Sequence, residues 1–318
     1  MSSASCLRER LREDQPLILD GGLGTEPGLC VCLSFAKDWI GRLLREINII
    51  SDCHFLNVLH MLRFIISGAD IITTATYQAS IPGFVSHLGL SVGDSRKLLM
   101  SGVYLAKEAA EKRSDLKWRK SAFVAGSVGP YGAHLANGSE YKGTYAARLT
   151  VERLKDFHRP HIECLVDAGA DVIAFETIPS IKECQALVEV LREFPSSEAW
   201  MSFSCGDHKT IADGSLFTDA VQMACRSKQL LAVGVNCCPP DVVEPLLDAA
   251  QSLLPPEMTW VAYPNKWDAW DTKLGVCVCP TGGCCFVRPA DIAWLRQHLK
   301  GDDAKCEPND CPTTESTS

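Results

Sequence analysis

The sequence of 318 residues lacks the features that mark several large classes of protein. It has no sustained run of basic residues and a net charge of −8, so a surface for nucleic acid is not expected. The most apolar candidate for a membrane span, residues 55–72, is interrupted by Asn57, His60, Arg63 and Asp70. The first residues are charged and lack the apolar core of a signal peptide. These absences predict a cytoplasmic protein that binds neither nucleic acid nor membrane.

The chain contains sixteen cysteines but no Cys-x-x-Cys pair. Without a secretion signal, we expect reduced thiols rather than a disulfide framework. A structural zinc site is normally closed by four protein ligands, and the pairs that usually build one are missing. Cys306 and Cys311 lie in the polar stretch 301–318, which we predict to be a disordered tail without metal ligands.

Short apolar runs recur along the chain and are separated by amphipathic stretches. The runs are residues 17–20, 70–74, 122–126, 171–175, 199–203, 231–235 and 259–263. Because they are apolar throughout, they are typical of parallel strands covered on both faces. The predicted helices include residues 95–112, 150–168, 181–194 and 241–254, and two helices end in a Gly-Ala-Asp turn before the next strand. The pattern predicts an α/β fold, a (β/α)8 TIM barrel over residues 1–300, with an open doubly wound sheet as the alternative.

Polar side chains recur where the predicted strands end. They are Asp20, Thr74, Ser127, Glu176, Cys205, Asn236 and Asn265. In a βα barrel the carboxyl ends of the strands form the active-site face. Core packing gives no reason for polar groups to recur at one end of successive strands, so the pattern indicates a functional face.

Three cysteines form the most informative motif of the sequence. Cys284 and Cys285 follow two glycines, and Cys237 ends the apolar run 231–235. Three thiolates that converge from two strand ends would make a tetrahedral zinc site with its fourth corner vacant, which is typical of a metal that acts on a substrate. That corner would suit a sulfur substrate, because zinc binds thiolate well. Ordinary buried core cysteines are the alternative interpretation.

Two acidic residues at strand ends could contact an amino group. Glu176 is costly to bury unless it is paired, and a substrate ammonium or a structural arginine would pair it. Asp20 precedes Gly21 and Gly22, whose backbone amides could approach a ligand closely, while Asp20 could accept a hydrogen bond from an amino group or order the loop. A simple strand-to-helix turn explains the same three residues equally well. The glycines are too few for a dinucleotide fingerprint, so a nicotinamide cofactor is not expected.

With these motifs in place, the chain resembles the homocysteine S-methyltransferase family, and more closely the branch that uses S-methylmethionine or S-adenosylmethionine than the betaine branch. The matching stretches are residues 17–26, 68–80, 124–143, 157–179, 234–237, 263–265 and 282–292. The resemblance implies a (β/α)8 barrel that binds one zinc ion through Cys237, Cys284 and Cys285. It also implies that the amino acid end of homocysteine is held near Asp20 and Glu176, and we expect Gly21, Gly22 and Asn236 to complete this substrate site.

The resemblance also implies a reaction. Zinc would hold the homocysteine sulfur as a thiolate, and a methyl group from a sulfonium donor would move in line to that sulfur, giving methionine. Because the donor carries its activation as positive charge, no general base is needed at the methyl group. Alignment and desolvation of the two sulfurs should supply much of the rate.

Two stretches depart from the pattern of the family. Residues 27–66 are apolar where the family has a polar stretch, and only sixteen residues separate Asn265 from Gly282, although a parallel crossover needs a dozen or more besides its strands. These departures predict a barrel that is incomplete around the first helix and the crossover from the seventh to the eighth strand. Two alternatives therefore stay open: a catalytically impaired isoform that binds zinc or homocysteine without turnover, and a betaine-type homocysteine methyltransferase.

Overall fold

The computed structural model describes residues 3–12, 16–22, 48–114, 121–266 and 283–300. Within these ranges six strands form one sheet, and every neighbouring pair is parallel. The strands are β1 (Ile71–Thr73), β2 (Phe123–Val128), β3 (Val172–Ile178), β4 (Ala199–Phe203), β5 (Leu230–Asn236) and β6 (Thr259–Tyr263). The predicted strands 199–203 and 259–263 are confirmed to the residue.

The order of the strands distinguishes the two predicted architectures. A doubly wound sheet reverses its strand order at a switch point. The described sheet runs from β1 to β6 in sequence order without a reversal, so it curls as part of a barrel and the doubly wound alternative is wrong. All residues of β3 and β5 are buried, as their unbroken apolar sequences require.

Helices connect the strands. Those of the described residues are α1 (Ser3–Arg10), α2 (Asn48–Ile66), α3 (Ile81–Leu88), α4 (Val92–Ser114), α5 (Tyr131–Leu135), α6 (Val151–Asp167), α7 (Ile181–Leu191), α8 (Phe217–Ala224), α9 (Val243–Ala250) and α10 (Pro289–Lys300). Side-chain caps begin several of them: Ser80 accepts a hydrogen bond from the N–H of Gly83, Thr150 accepts one from that of Arg153, and Ser180 accepts one from that of Glu183. None of the helices described is long and apolar enough to cross a membrane.

The two predicted Gly-Ala-Asp turns are confirmed, and each has a further function. Their glycines have φ values of 110° and 82°. Asp70 then accepts a hydrogen bond from the N–H of Ile18 (3.0 Å), and Asp171 accepts one from the N–H of Val124 (2.8 Å). Each aspartate therefore fastens the strand that it begins to the preceding segment of the sheet.

Asp70 also binds the last described helix. Its carboxylate accepts hydrogen bonds from Arg296 (3.0 Å) and Lys300 (2.7 Å) of α10. Burial alone would raise the pKa of Asp70, but the hydrogen bond and charge of Lys300, with the N–H of Ile18 and the charge of Arg296, hold that pKa below its ordinary value. The N-terminal end of β1 is therefore held by the C-terminal helix.

At the opposite end of the strands, a short segment connects the two edges of the sheet. We call residues 283–288 the closing segment. On one side it bonds to residues 20–22, and on the other to residues 264–266. The backbone hydrogen bonds are Gly283 N–H to Asp20 O (3.3 Å), Gly22 N–H to Val287 O (3.3 Å), Cys284 N–H to Pro264 O (2.9 Å) and Lys266 N–H to Cys285 O (2.9 Å).

The two atypical stretches differ in what the structure describes. Part of the first folds as α2, which contributes Val58, Met61, Phe64 and Ile65 to the core. Residues 23–47 lie outside the described residues, and so do residues 267–282, which contain most of the shortened crossover, and the predicted tail 301–318.

Candidate metal centre

Three cysteines converge at the carboxyl ends of the strands. Cys237 directly follows β5, whereas Cys284 and Cys285 lie in the closing segment. Their sulfur atoms lie within 4.8 Å of one another, and no other group of three potential metal ligands was found in the described ranges. The structure thus brings together the three residues that the sequence analysis proposes as ligands.

Residues 263–265, which end β6 and follow it, hold both parts of this cluster. The carbonyl groups of the first two accept hydrogen bonds from the N–H groups of Cys237 (3.3 Å) and Cys284 (2.9 Å). The side-chain oxygen of Asn265 accepts one from the N–H of Cys285 (3.2 Å). The backbone of all three cysteines is therefore held by the end of β6 and the two residues that follow it.

The donor set fits a thiophilic metal ion once it is reduced. The sulfurs of Cys237 and Cys284 are in disulfide contact, with Cα atoms 5.6 Å apart, and the Cys285 thiol is free. A Cα separation of this size suits a disulfide, and two ligands of one ion are held at similar distances. With Zn–S bonds of about 2.3 Å, the sulfurs of a tetrahedral site are about 3.8 Å apart. Small side-chain movements therefore convert the reduced cluster into a three-thiolate site.

The surroundings of Cys285 favour its neutral thiol. Burial raises the pKa of Cys285, a backbone hydrogen bond lowers it, and the negative charge of Glu176 adds to the rise. A divalent cation reverses this balance, because it stabilises a coordinated thiolate.

Strained backbone surrounds the cluster. Of the four non-glycine residues with positive φ in the described chain, three follow or border the strand ends: Thr177 (61°), Cys237 (48°) and Phe286 (67°). Such conformations are costly and occur preferentially at functional sites. Asn236 stabilises one of them, because its Oδ1 accepts the N–H of Thr177 (2.7 Å) and its Nδ2 donates to the hydroxyl of Thr177 (2.8 Å). In this structure the Asn236 side chain therefore positions Thr177.

Glu176 lies in β3 and is only 9% exposed. It accepts a short hydrogen bond from the Ser127 hydroxyl, and a second comes from Tyr263. Burial raises the pKa of Glu176, while these two hydrogen bonds lower it. No lysine or arginine of the described residues forms an ion pair with it. The described ranges therefore contain no structural arginine that pairs with Glu176.

Asp20 is fastened to the first strand of the sheet. Its carboxylate accepts hydrogen bonds from the N–H (2.8 Å) and the hydroxyl (3.1 Å) of Thr73. Burial raises the pKa of Asp20 to about 8, although the bonds from Thr73 lower it, and the charge of Glu176 adds to the rise. Asp20 thus orders the loop after residue 19, which is one of its two predicted roles, and it lies within electrostatic range of Glu176.

Gly21 and Gly22 pack against the closing segment. A Cβ on Gly21 would lie 2.4 Å from the carbonyl oxygen of Val287, and the N–H of Gly22 donates to the same oxygen. In this structure, the backbone that approaches these glycines closely is therefore that of the closing segment.

One buried residue of the site carries no role in the sequence analysis. Tyr263 ends β6, and its hydroxyl is shared by the Ser202 hydroxyl (2.6 Å), the Trp200 indole N–H (3.1 Å) and Glu176. A tyrosine at the end of an otherwise apolar run was the available signal, because a buried phenol needs polar partners.

Two histidines of α6 are buried, contrary to what their spacing predicts. The spacing of His158 and His161 predicts a partly solvated helix face, yet both are buried. His158 Nε2 lies 2.8 Å from Oε1 of Glu183, and burial lowers the pKa of His161 to about 3. Glu183 of α7 contacts His158, and the backbone of Ser127 in β2 contacts His161, which the spacing alone does not reveal.

Comparisons with known proteins agree on one family. The homocysteine S-methyltransferase profile matches residues 17–299. Homocysteine S-methyltransferase 1 of Zea mays is 35% identical over 316 residues, which cover 89% of this chain and 94% of that protein. The betaine-homocysteine S-methyltransferase of Drosophila melanogaster is 35% identical over 277 residues, or 77% of this chain and 83% of that protein. The crystal structure of the metallated form of the homocysteine methyltransferase MmuM from Escherichia coli superposes with a TM-score of 0.78 at 35% identity, covering 92% of this chain and 99% of that one.

Proposed function

The chain belongs to the homocysteine S-methyltransferase family and is a methyltransferase, and from this premise we propose that it methylates homocysteine with a sulfonium donor. The donor class is S-methylmethionine or S-adenosylmethionine, and the product is methionine. One observation carries the proposal: three cysteine sulfurs lie within 4.8 Å of one another beside Glu176. A thiol substrate with an ammonium group matches both parts of this arrangement.

Cys237, Cys284 and Cys285 would hold a zinc ion as thiolates. Three thiolates favour zinc over harder ions such as magnesium, and a related protein has a metallated form. When bound, the ion supplies Lewis acidity that keeps a thiol substrate deprotonated near neutral pH.

The remaining site residues would bind and orient the substrate. Glu176 would pair with the ammonium group of homocysteine, and its bonds to Ser127 and Tyr263 would aim the carboxylate. Asn236 would contribute by holding the Thr177 backbone. Asp20, Gly21 and Gly22 would contribute by holding the closing segment in position.

The methyl transfer balances without a further reactant. The thiol of homocysteine loses its proton to solvent, and the bond from its sulfur to the methyl carbon forms as the bond from that carbon to the sulfonium sulfur breaks. The donor sulfur keeps the electron pair and leaves as a neutral thioether. The chain contributes alignment and exclusion of water, because the reacting groups themselves carry the required charges.

We further propose that the sheet belongs to an eight-stranded barrel within a single domain over residues 1–300, followed by a tail. The closing segment supports this proposal, because it bonds to both edges of the six-stranded sheet. The cytoplasmic location also stays a proposal.

A second donor class has a specific observation in its favour, since the relative from Drosophila uses betaine by name. We favour the sulfonium donor because the matching stretches of the sequence resemble that branch of the family more closely than the betaine branch. Parallel assays with S-methylmethionine, S-adenosylmethionine and betaine separate the possibilities, and turnover with betaine alone would reject the sulfonium proposal.

The first prediction concerns metal content and turnover in one reduced preparation. Wild-type protein should carry about one zinc per chain and form methionine when homocysteine and S-methylmethionine are supplied. Cys284→Ala should lose most of the metal and activity, because two thiolates rarely hold zinc tightly. Cys225→Ala serves as the matched control, since Cys225 is a free thiol outside the cluster.

Elemental analysis and methionine quantification decide between the alternatives. Full zinc content in Cys284→Ala would show that the ligands are wrong. Zinc at full stoichiometry without methionine from any of the three donors would instead identify an impaired isoform.

A further inference from the structure

A second buried carboxylate lies near the candidate metal centre. Glu140 belongs to the short 3-10 turn Ser139–Tyr141 and is 7% exposed. Its Oε2 atom is buried and has no hydrogen-bond partner among the described residues. No lysine or arginine of those ranges forms an ion pair with it either. A buried carboxylate oxygen without a partner is costly, and a cationic group placed beside it would remove that cost.

The turn that carries Glu140 is held firmly at the carboxyl ends of the strands. The hydroxyl of Ser204, which follows β4, donates to the backbone carbonyl of Glu140 (3.1 Å). On the other side, a Cβ on Gly132 would lie 2.6 Å from the backbone nitrogen of Glu140. The turn is thus packed between the end of β4 and the loop after β2, and its carboxylate is not a mobile surface group.

Two tyrosines connect Glu140 to the rest of the site. Burial raises the pKa of Tyr141 to about 12, and the charges of Cys285 and Glu140 add to this rise. Burial likewise raises the pKa of Tyr77, and the charges of Glu140 and Glu176 contribute. The Ser204 hydroxyl that bonds the carbonyl of Glu140 also lies 3.5 Å from the carbonyl oxygen of Thr177, the residue after Glu176, so the turn of Glu140 lies beside this end of β3.

The two substrates differ in their positive charges, so each could be bound by a different carboxylate. Homocysteine brings one cationic group, its ammonium, and Glu176 is the carboxylate close to the sulfur cluster. A sulfonium donor brings an additional fixed positive charge on sulfur. Tyr141, which follows Glu140 in the same turn, is 49% exposed, so this turn borders the solvent from which a second substrate would approach.

We propose that Glu140 and the ring of Tyr141 form a subsite for the sulfonium group of the methyl donor. This subsite rests on the proposed function, since it supplies the second substrate of the same reaction. The carboxylate attracts the positive sulfur, and the aromatic face adds the attraction that rings exert on onium cations. Glu140 is therefore the residue that distinguishes a charged donor from the neutral thioether that the reaction leaves behind.

Calorimetric titration of the reduced, zinc-loaded chain tests the subsite without turnover. The probes are S-methylmethionine and methionine, which share the amino acid end and differ in the charged methyl group. Wild type should bind S-methylmethionine at least tenfold more tightly than methionine. Glu140→Gln should lose most of that preference, with the affinity for methionine unchanged within twofold. Glu257→Gln, which alters an exposed acid in the turn before β6 at the opposite end of the strands, should keep it.

The outcomes separate this subsite from the catalytic proposal. Equal weakening of both probes in Glu140→Gln, no weakening of either, or a wild type without charge preference would overturn the subsite. Betaine serves as a third probe: if Glu140→Gln loses affinity for betaine but not for S-methylmethionine, the sulfonium site is also overturned. Wild-type protein that binds S-methylmethionine through Glu140 yet forms no methionine would uphold the subsite and refute the enzyme reaction.

Discussion

At the residue scale, the site contains two buried carboxylates with different surroundings. Glu176 lies in a strand and accepts hydrogen bonds from Ser127 and Tyr263. Glu140 lies in a turn, and its Oε2 has no partner in the described chain. If each carboxylate serves one substrate, neutralising either should affect the affinity for that substrate alone.

The corresponding prediction for Glu176 concerns homocysteine. Glu176→Gln should raise the KM for homocysteine about 10- to 100-fold, because a hydrogen bond to a charged group contributes about 1.5–3 kcal/mol. The KM for the donor should stay within twofold. Steady-state kinetics with each substrate varied in turn measure both values, and Glu140→Gln is the matched comparison with the opposite pattern. An equal rise in both constants would contradict the assignment.

Some residues of the site could be predicted from the sequence, and others could not. Cys237, Cys284 and Cys285 were identifiable because thiol chemistry is specific to the residue type and few arrangements of three cysteines suit a catalytic metal. Glu140 stands within a stretch that supported the resemblance, yet nothing in its neighbours indicates burial. Its environment arises from packing between β4 and the loop after β2, which are distant in sequence.

At the element scale, the two Gly-Ala-Asp turns share their sequence but differ in the partners that their aspartates bind. Asp70 accepts from a backbone N–H and from two basic side chains of α10. Asp171 accepts from one backbone N–H and has a weaker ion pair with Lys107 at 3.6 Å. The two turns have the same local sequence, so their difference in stability should come from tertiary partners alone.

We therefore predict that Asp70→Asn lowers the free energy of unfolding by about 3 kcal/mol, since it leaves two basic groups without their buried partner. Asp171→Asn should cost clearly less. Because the pKa of Asp70 is lowered on folding, its contribution is present above the ordinary pKa of an aspartate and is lost as pH falls through the folded value. Urea denaturation at neutral and acidic pH measures this, and equal losses in both variants would contradict it.

Most strands could be predicted because unbroken apolar runs are specific to strands buried on both faces. The first predicted strand, residues 17–20, is reduced to a single bridge between Leu19 and Ile71. The N–H of Ile18 is taken by the Asp70 side chain instead of a neighbouring strand. That side chain lies fifty-two residues away in the sequence, so the local sequence carries no sign of this interaction.

At the scale of the whole molecule, the candidate metal centre lies where the two edges of the sheet meet. Cys237 belongs to the β5 side, whereas the closing segment supplies Cys284 and Cys285 and bonds to residues 20–22. A metal ion held by all three sulfurs would therefore link the two edges, and it would bind the folded chain far better than the unfolded one.

Zinc should consequently stabilise the fold. In reducing buffer, zinc at 100 times its Kd adds about 2.7 kcal/mol, which corresponds to a rise in Tm of about 5 °C for a chain of this size. Cys284→Ala should show little rise, and Cys225→Ala should respond as wild type does. Thermal melts with zinc and with a chelator provide the measurement. An equal rise in Cys284→Ala would show that the metal binds elsewhere.

The closing segment has a consequence for biosynthesis. Two of the three sulfurs and the partner of Gly21 come from residues 284–287, which leave the ribosome about 260 residues after residues 20–22. Residues 20–22 therefore lack these contacts, and that edge of the sheet stays unsealed, until the closing segment has been synthesised. We expect such a chain to depend on chaperones during this interval, since an unsealed sheet edge invites aggregation.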